Sequence, residues 1–227
     1  MASIPKQTLR TLARTLLAQG EDYGFGFQDW VRFVNVLLDE ALDARPLPQP
    51  EAASLPLRGE QVHVRPVCPE DRAHIEAWCA DPDGRYFLSS RSTGHTLGID
   101  ELLDDPQNTI GMVALPDGRP VGLVAFLQLE PEQGRAELRK LIGDPTLRGR
   151  GLGTEAARLW VGHGIHGLGL RKIFLYTLGT NRDNIRLNKR LGFRVEGVLR
   201  DEVVIDGVIH DLLRMGLVVS PRSSESS

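Results

Sequence analysis

The sequence predicts an α+β fold (mixed α/β): a mostly antiparallel sheet with one β-α-β unit in its middle, preceded by a helical hairpin. Three observations carry this. Two hairpin-like strand pairs lie at 109–129 and 203–218, the second with an Asp206-Gly207 turn signal. Between them, residues 136–178 run as strand, glycine-rich turn, long helix and second apolar strand. Two amphipathic helices come first and end at a run of prolines.

In chain order, residues 5–19 read as a helix with Leu9, Leu12, Leu16 and Leu17 on one face and Gly20 ending it. After the aromatic turn Tyr23-Gly24-Phe25-Gly26-Phe27, a second helix covers 28–43, with Trp30, Phe33, Val34, Leu37, Leu38, Ala41 and Leu42 apolar. This hairpin, 1–44, is too small to bury its faces alone and is expected to dock on the main domain or another subunit. Pro46, Pro48, Pro50 and Pro56 make 45–60 an extended linker. A main domain follows at 61–219, and the Ser-rich 220–227 is expected to be disordered.

Within that domain, Val62, Val64 and Val67 mark a strand ending near Pro66, and Pro69 opens a helix to about Cys79. Residues 81–84 read as a turn, and the rest of the stretch to Gly98 has no clear pattern. A short helix at 99–103 precedes strands at 109–115 and 120–129. A strand at 136–143, a helix at 151–166, a strand at 172–178 and a helix at 184–190 follow. Gly192 stands just past that last helix. Residues 193–198 and 203–205 read as separate strands, and 208–218 completes the final hairpin.

Composition is ordinary for a globular chain of 227 residues: 41% hydrophobic and 25% charged. A net charge of −3 gives no general attraction to nucleic acid or anionic membrane. The segment 139–200 is nonetheless rich in Arg and Lys, which suits a small polyanionic ligand. Cys68 and Cys79 make no disulfide framework, and two reduced thiols point to the cytoplasm. The chain shows no signal-peptide pattern at its start and no apolar run long enough to span a membrane.

The chemistry concentrates at Leu147-Arg148-Gly149-Arg150-Gly151-Leu152-Gly153-Thr154-Glu155. A glycine-rich turn leading into a helix lets the backbone approach an anion. The helix start adds unpaired N–H groups and the positive end of the dipole. Arg148 and Arg150 add charged donors. The ligand implied bears a pyrophosphate. A Rossmann reading fails because Tyr176-Thr177-Leu178 offers no acidic ribose ligand, and no Gly-Lys-Ser/Thr makes a Walker A loop. His163 and His166, read as helix surface, are too few for a metal site, so no metal is expected. Neither cysteine has an evident base partner, which argues against covalent catalysis.

Taken in combination, these motifs resemble those of the GNAT superfamily of acyl-CoA-dependent N-acyltransferases, in its RimJ/RimL-like branch. Arg148-Gly149-Arg150-Gly151-Leu152-Gly153 resembles the family's phosphate loop, and Thr154-Glu155-Ala156 its usual helix start. Ala136-Glu137-Leu138 stands where the branch often has Ala-Glu-Ile. Asn181, Leu187 and Leu191-Gly192-Phe193 keep its later spacing, as does Glu196-Gly197-Val198-Leu199-Arg200 with Gly207, Asp211 and Met215. The resemblance covers about 62–219 and leaves out the helical hairpin.

It implies a GNAT fold: a twisted sheet with helices on both faces and a splayed parallel strand pair, with acetyl-CoA as co-substrate in the gap. Free backbone groups there would pair with the pantetheine arm, and an amide of Leu141 or Ile142 would face the thioester oxygen. Backbone N–H groups from Arg150 to Thr154, hence those of Gly151, Leu152 and Gly153, would hold the pyrophosphate. Asn181 would bond the pantetheine. Arg186, Lys189 or Arg190 would meet the 3′-phosphate or be plain surface charge. The acceptor is a primary amine in neutral form, for which Glu137 is the candidate base, unless it is simply ion-paired with Arg139. The family's usual general acid, a Tyr, is here Asn188, and an amide cannot donate that proton; Tyr176 is another candidate, though its strand position also suits core. Arg85, Tyr86, Arg91 and His95 border the expected acceptor site or are loop surface. The absence of a dense acidic cluster there disfavours a polycation. The function expected is direct acetyl transfer to a protein N-terminus or small amine such as an amino sugar. The alternative is a non-catalytic acyl-CoA-binding sensor. A homodimer is compatible with both.

Overall fold

The computed structural model describes residues 4–48, 50, 54–81, 98–205 and 207–219. The expectations for Arg85, Tyr86, Arg91 and His95, for the 81–84 turn beyond Asp81, and for the 220–227 tail lie outside these residues. The chain divides into two compact units, 1–43 and 44–227.

The first unit is a pair of helices, α1 (Lys6–Asp22) and α2 (Phe27–Leu42). Gly20 does not end α1, as the sequence suggests. It is buried within it, because a Cβ at Gly20 would fall inside the ring of Trp30. The glycine is there for close packing, and the helix continues one more half-turn. Phe25, Trp30 and Phe33 form the hairpin's aromatic cluster, with ring centroids 5.1 to 6.2 Å apart. Leu9, Leu12, Val34 and Leu37 remain exposed.

The second unit holds strands β1 (Leu57–Arg58), β2 (His63–Pro66), β3 (Thr109–Ala114), β4 (Pro120–Glu130), β5 (Arg135–Ile142), β6 (Lys172–Leu178), β7 (Arg194–Ile205) and β8 (Val208–Val218). Its helices among the described residues include α3 (Arg72–Ala80), α4 (Ile99–Asp104), α5 (Leu152–His166) and α6 (Arg182–Arg190). All eight strands join one sheet in the order β1-β2-β3-β4-β5-β6-β8-β7. Every neighbouring pair is antiparallel except β5 and β6. The architecture is the GNAT fold.

Alternation along β3 and β4 sends side chains to both faces. On one face Met112, Leu123, Ala125 and Leu127 pack with Ile75 and Cys79 of α3 and Leu102 of α4. On the other, Phe126 stacks on Trp160 of α5, ring centroids 5.4 Å apart. Gly111 and Gly164 make room for this pair: a Cβ at Gly111 would sit 2.8 Å from Trp160, and one at Gly164 2.5 Å from Phe126. His163, read from sequence as surface, is buried with its ring centroid 5.2 Å from that of Trp160. The close helix–sheet approach at Gly164 covers it, while His166 stays exposed.

Two further differences have local causes. β1 is a two-residue edge strand within the stretch read as linker; it pairs with β2 through Leu57↔Val64. The segments 193–198 and 203–205 form one strand, β7, bent by a register shift between Leu199 and Val203, with Asp201 at φ 54°. A bulge preserves the ladder across a stretch whose alternation breaks.

Arg65 of β2 clamps the turn into α3. Its guanidinium donates to both oxygens of Asp71 at 2.6 and 2.8 Å, and the Cys68 N–H donates to Asp71 at 2.9 Å. Arg65 beside Asp71 holds that carboxyl well below the usual carboxylate range. A depressed folded-state pKa stabilises above the unfolded value, about 4, and the gain is lost as pH falls below it. Asp71→Asn is therefore expected to cost about 2–3 kcal/mol at neutral pH. The difference from the parent should shrink as pH drops toward 3 (roughly one unit below the unfolded carboxyl). Urea unfolding at both pH values measures it; an equal difference at both would exclude the ionic origin.

Candidate active site

β5 and β6 hold the site open. They pair only through Arg135↔Lys172, Ala136↔Ile173 and Glu137↔Phe174. Beyond that, β5 keeps its ladder to β4 as far as Gly122↔Ile142, and β6 keeps its ladder to β8 as far as Leu178↔Leu212. The parallel strands diverge, leaving the backbone edges of residues 138–142 and 175–178 without each other.

A cavity of about 850 Å³ occupies this gap. It runs from Leu138, Lys140 and Ile142 on β5, past Tyr176 on β6, to Asn181 and Asn184 at the start of α6. One end is the glycine loop. Gly149 and Gly151 have φ of +75° and +86°, the left-handed region where a side chain is strained. Gly151 is the N-cap of α5, and no side chain caps that helix. The N–H groups at its very start therefore take no side-chain acceptor of the protein and lie at the cavity end with the positive end of the dipole. Arg148 ties the loop to β5 by donating from Nε to Ile142 O at 3.0 Å. From the other side, the buried Glu155 carboxylate accepts from the N–H groups of Glu60 and Gln61 at 2.5 and 3.0 Å, pinning the first turn of α5 to the β1–β2 connection. Sequence reading gave Glu155 no role; a carboxylate in the first helical turn is too common to single out.

The cavity brings together Leu141, Ile142, Arg148, Gly149, Gly151, Gly153, Thr154, Asn181 and Arg186. Arg150 is exposed, and Leu152 is packed inward; neither lines it. Lys189 does not line it either. With Ile185 and Asn188 it forms the inward stripe of α6 at helical spacing, so the helix turns it away from its neighbours Arg186 and Arg190, which do line the cavity. Asn181 caps α6: its Oδ1 accepts from Asn184 N at 3.1 Å. Asn184 in turn donates from Nδ2 to Thr177 Oγ1 at 2.9 Å, joining the cap to β6.

Glu137 sits where β5 and β6 still pair. It is 3% exposed, accepts from Arg139 Nε at 2.6 Å, and is absent from the cavity lining, whereas Arg139 contributes to it. Asn188 is fully buried beneath the cavity. Its Oδ1 accepts from Lys140 Nζ at 2.7 Å, and its Nδ2 faces Met215 Sδ at 4.0 Å. Lys140 was not singled out by sequence. The signal for it is a lysine on the strand face that it shares with the apolar Ala136, Leu138 and Ile142. Among the described residues no group of three or more His, Cys, Asp or Glu is placed to hold a metal ion.

A split parallel pair with a glycine-cradled helix start at one end is the architecture that the sequence resemblance implies. The comparisons agree. A profile for the acetyltransferase (GNAT) domain matches residues 61–194, and the chain belongs to this family. Spermidine N(1)-acetyltransferase of Escherichia coli (strain K12) is 36% identical over 99 residues, which is 44% of this chain and 53% of that protein. The chain thus spans about half the length of that relative. A probable N-acetyltransferase of Bacillus subtilis (strain 168) is 26% identical over 167 residues, 68% of this chain and 92% of the relative. Among solved structures, spermidine N-acetyltransferase from Vibrio cholerae in complex with CoA and spermine shares the fold with a TM-score of 0.59. It is 23% identical, covering 70% of this chain and 96% of the other. No described helix is long and apolar enough to cross a membrane.

Proposed function

We propose that this protein is an acetyl-CoA-dependent N-acetyltransferase that transfers the acetyl group directly to a primary amine, in the RimJ/RimL-like branch of the family. The observation that carries this is the cavity itself: a split between β5 and β6 continuous with the loop at Gly149 and Gly151. In this reading the first-turn amides of α5 bind the pyrophosphate, helped by Arg148, and Arg186 meets the 3′-phosphate. The freed strand edges pair with the pantetheine amides, and Asn181 bonds the same arm. An amide of Leu141 or Ile142 stabilises the developing oxyanion. Cytoplasmic location belongs to the same reading, as does a homodimer using the exposed apolar face of the hairpin.

The acceptor class is an amine on a protein N-terminus or a small molecule such as an amino sugar. The Escherichia coli and Vibrio cholerae proteins are named for spermidine, so spermidine belongs in the test beside them. Purified protein mixed with acetyl-CoA and these amines is expected to release thiol and gain an acetylated product by mass spectrometry. Acetyl-CoA binding without release across the panel would instead make it a CoA-binding module.

Glu137 is the proposed base, taking the amine proton through water, with Arg139 Nε holding its carboxylate at 2.6 Å. Glu137→Gln is expected to lower turnover by roughly 10²-fold and to move the activity optimum to higher pH, where more of the amine is neutral unaided. An unchanged rate and profile would remove Glu137 from the mechanism and leave it as the partner of Arg139.

A further inference from the structure

The family's usual proton donor to the leaving sulfur is missing at Asn188, and the structure puts an ammonium at the same place. We infer that Lys140 is the general acid of this enzyme, protonating the CoA thiolate as it leaves. The inference rests on the acetyltransferase reading above and adds to it a residue outside the family's pattern.

Three observations support it. First, Lys140 is on the right face. β5 alternation directs Leu138, Lys140 and Ile142 to the α5–α6 side of the sheet, and all three line the cavity. Second, its position is fixed. Nζ donates to Asn188 Oδ1 at 2.7 Å, so the ammonium is held beside the residue that stands in the acid's position. An amide oxygen accepts from an ammonium without taking its proton, which makes Asn188 an orienting partner and leaves the remaining Nζ–H groups for another acceptor. Third, the surroundings favour giving the proton up. Burial pushes the Lys140 ammonium down to about 7, and burial is the only cause. Arg139 and Arg148, Tyr176 of β6, and Asp183, Arg186 and Arg190 of α6 are the charged or titratable groups sharing the cavity. β4 presents Val124 opposite Lys140. A lysine in a near-neutral range is matched to a thiol leaving group, as a normal surface lysine is not.

The step balances. The amine nitrogen attacks the thioester carbon and forms the C–N bond, and its extra proton leaves on the base side. The C–S bond then breaks with its electron pair going to sulfur. One Nζ–H proton of Lys140 moves to that sulfur, giving free CoA thiol and a neutral amine side chain, which regains a proton from solvent. An amine and a thioester become an amide and a thiol.

The test uses the full chain with acetyl-CoA and whichever of spermidine, an amino sugar, a peptide N-terminus or the small surrogate hydroxylamine turns over fastest. Thiol release is followed from pH 5.5 to 9.5 (roughly the range spanning a near-neutral acid and an amine). The parent kcat/KM for acetyl-CoA is expected to fall on the alkaline side as Lys140 loses its proton. Lys140→Met is expected to lower kcat by roughly 10²-fold and to erase that alkaline limb, with acetyl-CoA affinity by calorimetry near the parent value. Lys140→Arg keeps the charge but cannot give up a proton at these pH values; it should be as slow as Lys140→Met, and full activity in it would reassign the residue to charge stabilisation. Asn188→Tyr in the Lys140→Met background places the family's acid in the vacated space and should recover part of kcat. A parent rate and pH profile in Lys140→Met overturns the inference and leaves the acetyltransferase reading intact. No thiol release from the unaltered protein with any of the four nucleophiles overturns both.

Discussion

Arg148→Ala combined with Gly151→Asp is expected to abolish acetyl-CoA binding, a loss of at least ~100-fold in affinity by isothermal titration calorimetry. The two changes act on one feature from different directions. Gly151 has φ +86° and forms the N-cap of α5, so a Cβ there strains the backbone that aims the first-turn amides. The aspartate also puts a carboxylate at the positive end of the helix, where it competes for the amides and repels a pyrophosphate. Removing Arg148 deletes a cation from the cavity wall and the bond to Ile142 O that ties the loop to β5. Steric blockade is not what does the damage: the nearest atom to an added Cβ at Gly151 is Gln61 Nε2 at 3.8 Å. The fold is expected to survive, which circular dichroism checks. Tight binding by the folded double variant would mean the loop is not the phosphate cradle.

Trp160→Ala is expected to have the largest effect on stability, about 3–5 kcal/mol. The indole is fully buried between α5 and the sheet, stacked on Phe126 and flanked by His163. Two glycines, Gly111 and Gly164, exist at the close approaches around it, so the neighbouring backbone has little freedom to collapse into the space left behind. At about 2–4 °C per kcal/mol for a chain of this size, Tm should fall by roughly 6–20 °C. The comparison has a second use. α5 begins at the glycine loop, so destabilising its packed face should weaken acetyl-CoA binding less than the loop variant does while costing more stability. Equal stability losses in the two variants would contradict the division between a packed helix body and a functional helix start.

Much of the fold was legible in the sequence because its elements carry strong local signals. An apolar helical run marks α5, α6 is marked by Gly192 just past its end, two apolar runs joined by a turn mark β3 with β4, and the strand–glycine–helix order marks the candidate site. The misreadings occur where a local signal has a tertiary cause. Gly20 looks like a helix terminator and is instead a contact with Trp30. His163 looks like surface and is covered because Gly164 lets the helix sit close to Phe126. β7 looks like two strands because a bulge near Asp201 interrupts its alternation without ending its pairing.

The site divides in the same way. The glycine loop is written in consecutive residues, since a positive-φ turn before a helix needs glycine whatever the rest of the chain does. The loop residues by themselves predict a pyrophosphate-bearing ligand at this end of the site. The resemblance likewise marks Asn188 where a tyrosine acid is expected, whereas the role of Asn181 as the cap of α6 appears only in the fold. Only the tertiary structure decided the rest. Whether β5 and β6 stay paired or part after Glu137 depends on their other neighbours, β4 and β8, which continue to hold them as they diverge. Whether Glu137 is a free or an ion-paired carboxylate depends on Arg139 folding back over it. That Lys140 reaches Asn188 follows from bringing two residues 48 positions apart to hydrogen-bond distance across the sheet–helix interface, a proximity no local pattern records.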